Sequence, residues 1–513
     1  MKNIFLRSLI GLCCLQLACK SSTDIKANPE NSSIKQKTIK LHPPVADLST
    51  VHGLEESPYF DLKVNGEDAF VYHSKEIRDE HEHRKQGNSI SYQGVSYVNF
   101  STTKEVNLEI TSFNNAENWS VMPETGIKVN SKGNSLKLTL DKPRKFVVTA
   151  TIDDKEEYFI ISAEQPETNI PSKDDDGVLY LEAGVHKYGQ AWDPYVNGIH
   201  TVYISGGAVV EATINSKNKN NIKLLGRGLL SQSFVTHAEE SVEHAEEQEW
   251  DADWLGVVFT DSENIEIDGI AIMSSPSYQL EFANSNNVSV RNIKLCGFGE
   301  HNNDGLHTYG KNIDVSDSFI ASNDDRICIT GLYDKGDGKD GIEWDGSNAL
   351  TGVPAENISI KDMVFLGLDN NGGDIMLTWN GAGYAKNIRI ENVVSLTPTN
   401  KAFIAARHGG SADIHDLIIK NVTLLHGNLF DVMVGGKNYQ GAGGGKLRNM
   451  LLENVIVEAN NTDIGKQLMG ASSISTIENI SLNNIMTKDG MLNSFDQLNI
   501  DINEFVKNIR VVE

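Results

Sequence analysis

The chain has 513 residues, room for two or more domains, and carries 45 Lys+Arg against 70 Asp+Glu, a net charge of −25. Such acidity excludes gripping nucleic-acid phosphates without a local basic patch, and the sequence contains none. Anionic polymers in general would be repelled at long range, which favours a neutral partner; general surface acidity for solubility explains the charge about as well.

The N-terminal stretch "MKNIFLRSLIGLCCLQLAC" sets Lys2 and Arg7 before an apolar run too short for an ordinary membrane span, ending in Ala18-Cys19. It resembles a bacterial lipoprotein signal. The resemblance implies cleavage before Cys19 and lipid on its thiol, with plain secretion as the alternative and Gln16 standing where an aliphatic residue is usual. Residues 1–19 are therefore read as a signal and 20–48, polar and without apolar periodicity, as a tether. The protein is expected outside the cytoplasm, facing the periplasm or cell surface, or secreted, and meeting a membrane only through the lipid. Beyond the signal only Cys296 and Cys328 remain. Both lie in apolar runs, so buried thiols are expected, with a single bridge as the other option.

From 49 to 165 short alternating runs are broken by turn residues. "FDLKVNGEDAFVYHS" places Asn65-Gly66 between two of them, the strongest short hairpin signal. A β-sandwich is predicted there, followed by a linker over 166–177. The remainder repeats one phrase: Asn, aliphatic, any residue, aliphatic, then a second short apolar strand. Its Asn falls at 221, 264, 287, 312, 357, 387, 449, 479 and 508, with Asp416 as a variant. Intervals of this size mark a β-solenoid whose coils bury a shared core only when stacked, with Asn at equivalent turns free to form a hydrogen-bonded ladder. The expected fold class is all-β: a right-handed parallel β-helix over 178–513, preceded by the small β-sandwich. Two insertions interrupt it, an acidic one at 237–254 and a Gly/Asp-rich one at 331–352; insertions in solenoids become loops on one face.

The stretch "HNNDGLHTYGKNIDVSDSFIASNDDRICITG" contains Asp304, Asp324 and Asp325. The first and last differ by about one short coil, so they should stack on one sheet at about 4.7–4.9 Å. Asp324 would ordinarily face the other way, and joins them only if the backbone bends there. Carboxylates so close repel, so at least one pKa should rise, giving the pairing of neutral acid and ionised base that glycosidic bond hydrolysis requires. Calcium ligation and a solvated turn are the competing explanations.

Residues 275–331, together with "GGAVVEATI" and "NNIKLLGRGLLS" upstream, resemble the polygalacturonase-like hydrolases, glycoside hydrolase family 28 and its relative family 49. The resemblance implies an inverting hydrolase without cofactor or metal, with Asp324 as general acid and Asp304 and Asp325 holding and activating water. The Gly-His-Gly and Arg-Ile-Lys segments that polygalacturonases use after the pair are missing. "GGDIMLTWNGAGYAKNIRIENVVSL" is instead similar to a Trp-containing coil of family 49, the dextranase and isopullulanase group, which also sets a β-sandwich before its β-helix. The implied partner is a polysaccharide or oligosaccharide, a neutral α-glucan of dextran type first.

Weaker candidates for substrate contact are Trp379, which offers a flat face to a sugar ring or a core filling, and Arg326, which touches substrate or balances the carboxylates. His301 and His307 flank Asp304, but strand alternation turns His307 away unless the strand is bulged. Tyr278, Arg407 and His408 would line subsites. "DEHEHRK" at 79–85 and "DKGDGKDG" at 334–341 imitate metal sites without fitting spacing. Two rival functions remain: a calcium-dependent polysaccharide lyase and a non-enzymatic glycan-binding solenoid. Oligomeric state is not legible.

Overall fold

The computed structural model describes residues 39–75, 94–124, 126–235, 255–275, 277–297, 303–329, 354–367, 372–377, 383–408, 412–435 and 444–512, with backbone alone at 407 and 408. Among these residues every regular element is a strand, apart from short 3₁₀ turns.

Two sheets form the N-terminal sandwich. One orders Leu54–Glu56, Tyr72–Ser74, Val95–Thr102, Lys155–Glu164, Arg144–Ile152 and Ala116–Met122; the other orders Glu67–Ala69, Phe60–Val64, Val106–Ser112, Ser135–Leu140 and Ile127–Lys132. Alternation drives the packing: along Phe60–Val64 every second residue is buried. Phe60 and Phe159, one from each sheet, stack at 5.3 Å between centroids. Asn65 and Gly66 take φ of 49° and 86° at the predicted hairpin. The expected tether is too long, however. Ile39–Lys40 pairs antiparallel with Ser101–Thr102, and Val45 and Leu48 are buried. A strand of two residues, only the first of them apolar and buried, is too short for periodicity to reveal.

From Val178–Leu181 onward the chain winds as a parallel β-helix of three rows. One row carries the repeated Asn, the next packs on the sandwich, and the third begins after the following turn. Inward residues of all rows, such as Ile265 and Val288 in the first, Ile272 and Leu295 in the second and Phe259 and Phe282 in the third, make one continuous core. Burying each such side chain is worth roughly 1.5–3 kcal/mol. The ladder is present: Asn287 donates to Asn264, Asn312 to Asn287, Asn357 to Asn312 and Asn387 to Asn357, at 2.9–3.2 Å. It resumes as Asn449 donates to Asp416, Asn479 to Asn449 and Asn508 to Asn479. Its first rung differs from expectation, because Asn264 donates to Asn220 rather than to Asn221. All these repeat positions have φ between 53° and 61°, which explains the residue type: Asn and Asp tolerate the left-handed region. A second ladder, unread in the sequence, runs five residues later through Asp362, Asn392, Asn421, Asn454 and Asn484.

The sandwich covers the second row. Leu54, Tyr97, Val147 and Ile160 meet Leu229, Met273, Cys296 and Phe319 in a shared cluster. Polar groups lock the same junction. Glu164 accepts from Lys294 Nζ at 2.6 Å and from Asn292 Nδ2 at 2.9 Å, and forms an ion pair with Arg227, whose Nε lies 2.6 Å away. Lys294 is 0 % exposed and Glu164 2 %. Cys296 and Cys328 are both buried free thiols, so the two cysteines form no bridge.

Candidate active site

The third row places the carboxylates. In parallel register Leu306 faces Ile327, His307 faces Cys328 and Ile327 faces Ile375. The 21-residue coil thereby sets Asp304 beside Asp325, and the Gly305 N–H donates to the Asp325 carbonyl at 2.8 Å. Both residues precede their strands, in the turn that follows the second row. The chain bends at Asn323 and Asp324, so strand alternation does not apply to the pair. Ser322 Oγ holds the bend: it donates to the carbonyls of Asn303 and Asp324 and receives the Asp324 N–H at 3.1 Å. Asn303 Nδ2 donates to the carbonyls of Ser275 and Ser277 at 2.8 and 3.2 Å, fixing the approach to Asp304. Gly372 lies directly beneath: a Cβ there would collide with the Asp324 carbonyl carbon and the Asp325 nitrogen, so only glycine lets the next coil close up.

The carboxylates differ in surroundings. Asp324 keeps 7 % exposure, Asp304 5 % and Asp325 1 %. Asp325 is held from two sides, by the Gly373 N–H at 2.6 Å and by Lys401 Nζ at 3.2 and 3.3 Å from its two oxygens. The same ammonium lies 3.7 Å from Asp324 Oδ1. Burial above all, and Asp304 beside it, push the Asp325 carboxyl above the usual carboxylate range, while Lys401 and the Gly373 N–H oppose them. For Lys401 burial works against the charge, yet Asp325, Asp324 and Asp304 outweigh it and hold the ammonium above the ordinary lysine range.

Asp304 has two neighbours of its own. His307 Nε2 lies 3.1 Å from its Oδ2, contrary to the expectation that alternation turns the ring away. That rule fails because Asp304 sits in the turn before the strand. Tyr278 stacks on His307 with centroids 4.0 Å apart and planes 9° from parallel, one coil upstream. Cys328 Sγ donates to the same Asp304 oxygen at 3.1 Å and lies 3.9 Å from Asp325 Oδ2. Burial, then Asp304 and Asp325, raise this thiol well above its ordinary pKa, so it stays a neutral donor.

Arg326 is the clearest correction. It is 0 % exposed, so it does not reach a substrate; its Nε lies 3.6 Å from Asp374 Oδ1 and its Nη1 donates to the Asp324 carbonyl at 3.3 Å. Asp374 is also fully buried, and desolvation raises its carboxyl despite Arg326 and His426. His426 Nε2 is 3.9 Å from Asp374 Oδ2 and 2.8 Å from Ser395 Oγ. Arg326 thus balances a carboxylate beneath the pair. His301 and Trp379, like Cys19, the two insertions and the 79–85 stretch, lie outside the described residues, as do the side chains of Arg407 and His408. Lys401, Cys328, Asp374 and His426 went unread as site residues; a lone lysine two coils downstream gives no local signal.

The chain is thus a three-row parallel β-helix, with a β-sandwich before it and stacked carboxylates at the head of one row. Residues 211–367 match the family model described as Glycosyl hydrolases family 28. An exopolygalacturonase (clone GBGE184) from Arabidopsis thaliana is 24 % identical over 185 residues, 32 % of this chain and 42 % of that protein. The chain therefore spans less than half the length of this curated relative. Among solved structures, Dex49A from Penicillium minioluteum superposes with a TM-score of 0.63 at 15 % identity, covering 92 % of this chain and 96 % of that one. Its similarity extends over sandwich and β-helix together, and it bears on the fold alone. An exopolygalacturonase from Thermotoga maritima matches with a TM-score of 0.41 at 15 % identity, over 65 % of this chain and 84 % of its own.

Proposed function

We propose that the chain is an inverting hydrolase of a polysaccharide, with a neutral α-glucan of dextran type as the first candidate. The observation that supports this most is the convergence of Asp304, Asp324 and Asp325 around Lys401 at the head of one row, with Asp324 the most exposed of the three. In this reading Asp324 protonates the glycosidic oxygen as the C1–O bond breaks. A water on the opposite face of the sugar adds to C1 and gives its proton to the carboxylates of Asp304 and Asp325. The anomeric configuration inverts, and the products are a new reducing end and a free hydroxyl. Lys401 and the Gly373 N–H favour the ionised form of Asp325 against its burial, which suits a base.

The neutral substrate is supported by charge. Lys401 touches Asp325 and Asp324, and Arg326 is sealed against Asp374. Both cations are thus engaged by carboxylates, in a chain of net charge −25. Export, with Cys19 as a lipid anchor, is part of the proposal and rests on the N-terminal sequence. The direct test is release of reducing ends from a panel of neutral α-glucans, uronans and sulfated glycans. Replacing Asp324 with Asn should then lower kcat/KM by about 10²–10⁴-fold at unchanged melting temperature. An Asp324→Asn enzyme with normal turnover would remove Asp324 from the mechanism.

A further inference from the structure

The face of the third row that turns away from the core has an unusual composition. Going up the stack, His307 is followed by Cys328, Met376 and Ala405, each paired in register with the next. The last three form an apolar cluster of their own. At its lower end this strip meets Asp304, so a carboxylate, an imidazole and a thiol converge. Asp304 Oδ2 is 3.1 Å from both His307 Nε2 and Cys328 Sγ, and one ligand atom from each residue falls within 4.8 Å of the others. All three are nearly sealed, at 5 %, 5 % and 0 % exposure.

We propose that Asp304, His307 and Cys328 form a binding site for one thiophilic divalent cation of the zinc type, and that its occupancy shuts off the carboxylates. Zinc bonds of about 2.0–2.3 Å to O, N and S place tetrahedral ligands roughly 3.3–3.8 Å apart. The two 3.1 Å contacts to Asp304 need open by only a few tenths of an ångström, and the His307 and Cys328 ligand atoms are already within 4.8 Å. The donor set selects the metal. Calcium and magnesium want six or more oxygens, whereas a thiol with an imidazole suits zinc and its softer neighbours. Two further features fit. Tyr278 stacked on His307 holds the ring plane. Asp325 Oδ2, 3.9 Å from Cys328 Sγ, is placed to close the fourth position. On binding, the thiol proton passes to the buffer and the sulfur becomes a thiolate ligand; nothing is oxidised or reduced. The ion would occupy the Asp304 oxygen that the proposed mechanism gives to the attacking water. The inhibitory consequence rests on that mechanism; the binding does not.

Cobalt(II) titration of the intact chain reports the binding without any glycan. One equivalent should bring up the near-ultraviolet thiolate-to-cobalt charge-transfer band, and zinc should displace it stoichiometrically. Cys328→Ser should abolish the band, while Cys296→Ser, which keeps every other thiol, should leave it intact. Should Cys328→Ser fail to fold, His307→Gln carries the same comparison through an affinity at least tenfold weaker. Zinc should also inhibit hydrolysis of whichever glycan is turned over, reversibly with chelator. Absence of a one-equivalent band, or a band unchanged by both variants, overturns the site; binding without inhibition overturns the shut-off. A chain that binds cobalt as described yet cleaves no glycan overturns the hydrolase reading instead.

Discussion

Lys401 comes from two coils beyond Asp325, yet it is the cation both members of the pair share, at 3.2 Å from one and 3.7 Å from the other. Its charge opposes the burial that raises the Asp325 carboxyl. Replacing it with Met should therefore raise that pKa further. A base must be ionised to work, so the acid limb of the kcat/KM profile should move to higher pH, with the loss greatest on the acid side. Lys401→Arg keeps the charge and should recover part of the shift. An acid limb that stays in place in Lys401→Met would take Asp325 out of the base role. Arg326 teaches the opposite lesson: adjacent to the pair in sequence, it is turned beneath the pair and spent on Asp374.

The coil is the element that repeats, and its two Asn positions do distinct work from the aliphatic ones. Aliphatic residues fill the core, whereas Asn and Asp occupy left-handed turns and link each coil to the next. Asn357 accepts from Asn387 and donates to Asn312, so it sits mid-ladder. Asn357→Ala removes both bonds and leaves in the left-handed region a residue without the short polar side chain that makes Asn tolerant of it, which together should cost about 2–4 kcal/mol. Asn357→Gly relieves the backbone part and should cost distinctly less. Calorimetric melting of the two variants separates the contributions; equal losses would mean that the bonds alone matter.

At the scale of the whole molecule the sandwich and β-helix are joined by an apolar seam with a buried charge cluster inside it. Burial opposes the ionised form of Glu164, but Lys294 and Arg227 outweigh it and hold the carboxyl at about 2, below its ordinary 4.5. Its contribution to stability is thus fully present above about pH 4.5 and falls away as the pH drops towards 2. Glu164→Gln leaves Lys294 and Arg227 facing each other without their shared carboxylate, a loss of about 3–5 kcal/mol. Denaturant unfolding at neutral pH measures it, and the gap between variant and parent should narrow in acid. A gap that stays constant down to pH 3 would assign the stabilisation to packing.

The repeat phrase and the one-coil spacing of Asp304 and Asp325 were enough to infer a solenoid, a ladder and stacked carboxylates. Those features depend on neighbours along the chain and on a period close to the coil itself. The hairpin at Asn65-Gly66 was legible for the same reason. What only the tertiary structure decided is lateral: which side chains from other coils arrive beside the pair. Between Ile327 and Ile375 the interval is 48 residues rather than 21, because an insertion intervenes, so spacing no longer predicts register. Lys401, Asp374 and His426 therefore reach the site without a sequence signature, and Cys328, read as a core thiol, lies on the outward face against two carboxylates. The bend at Asn323 and Asp324 had the same effect on orientation: once the backbone leaves the strand, alternation stops deciding which way a side chain points.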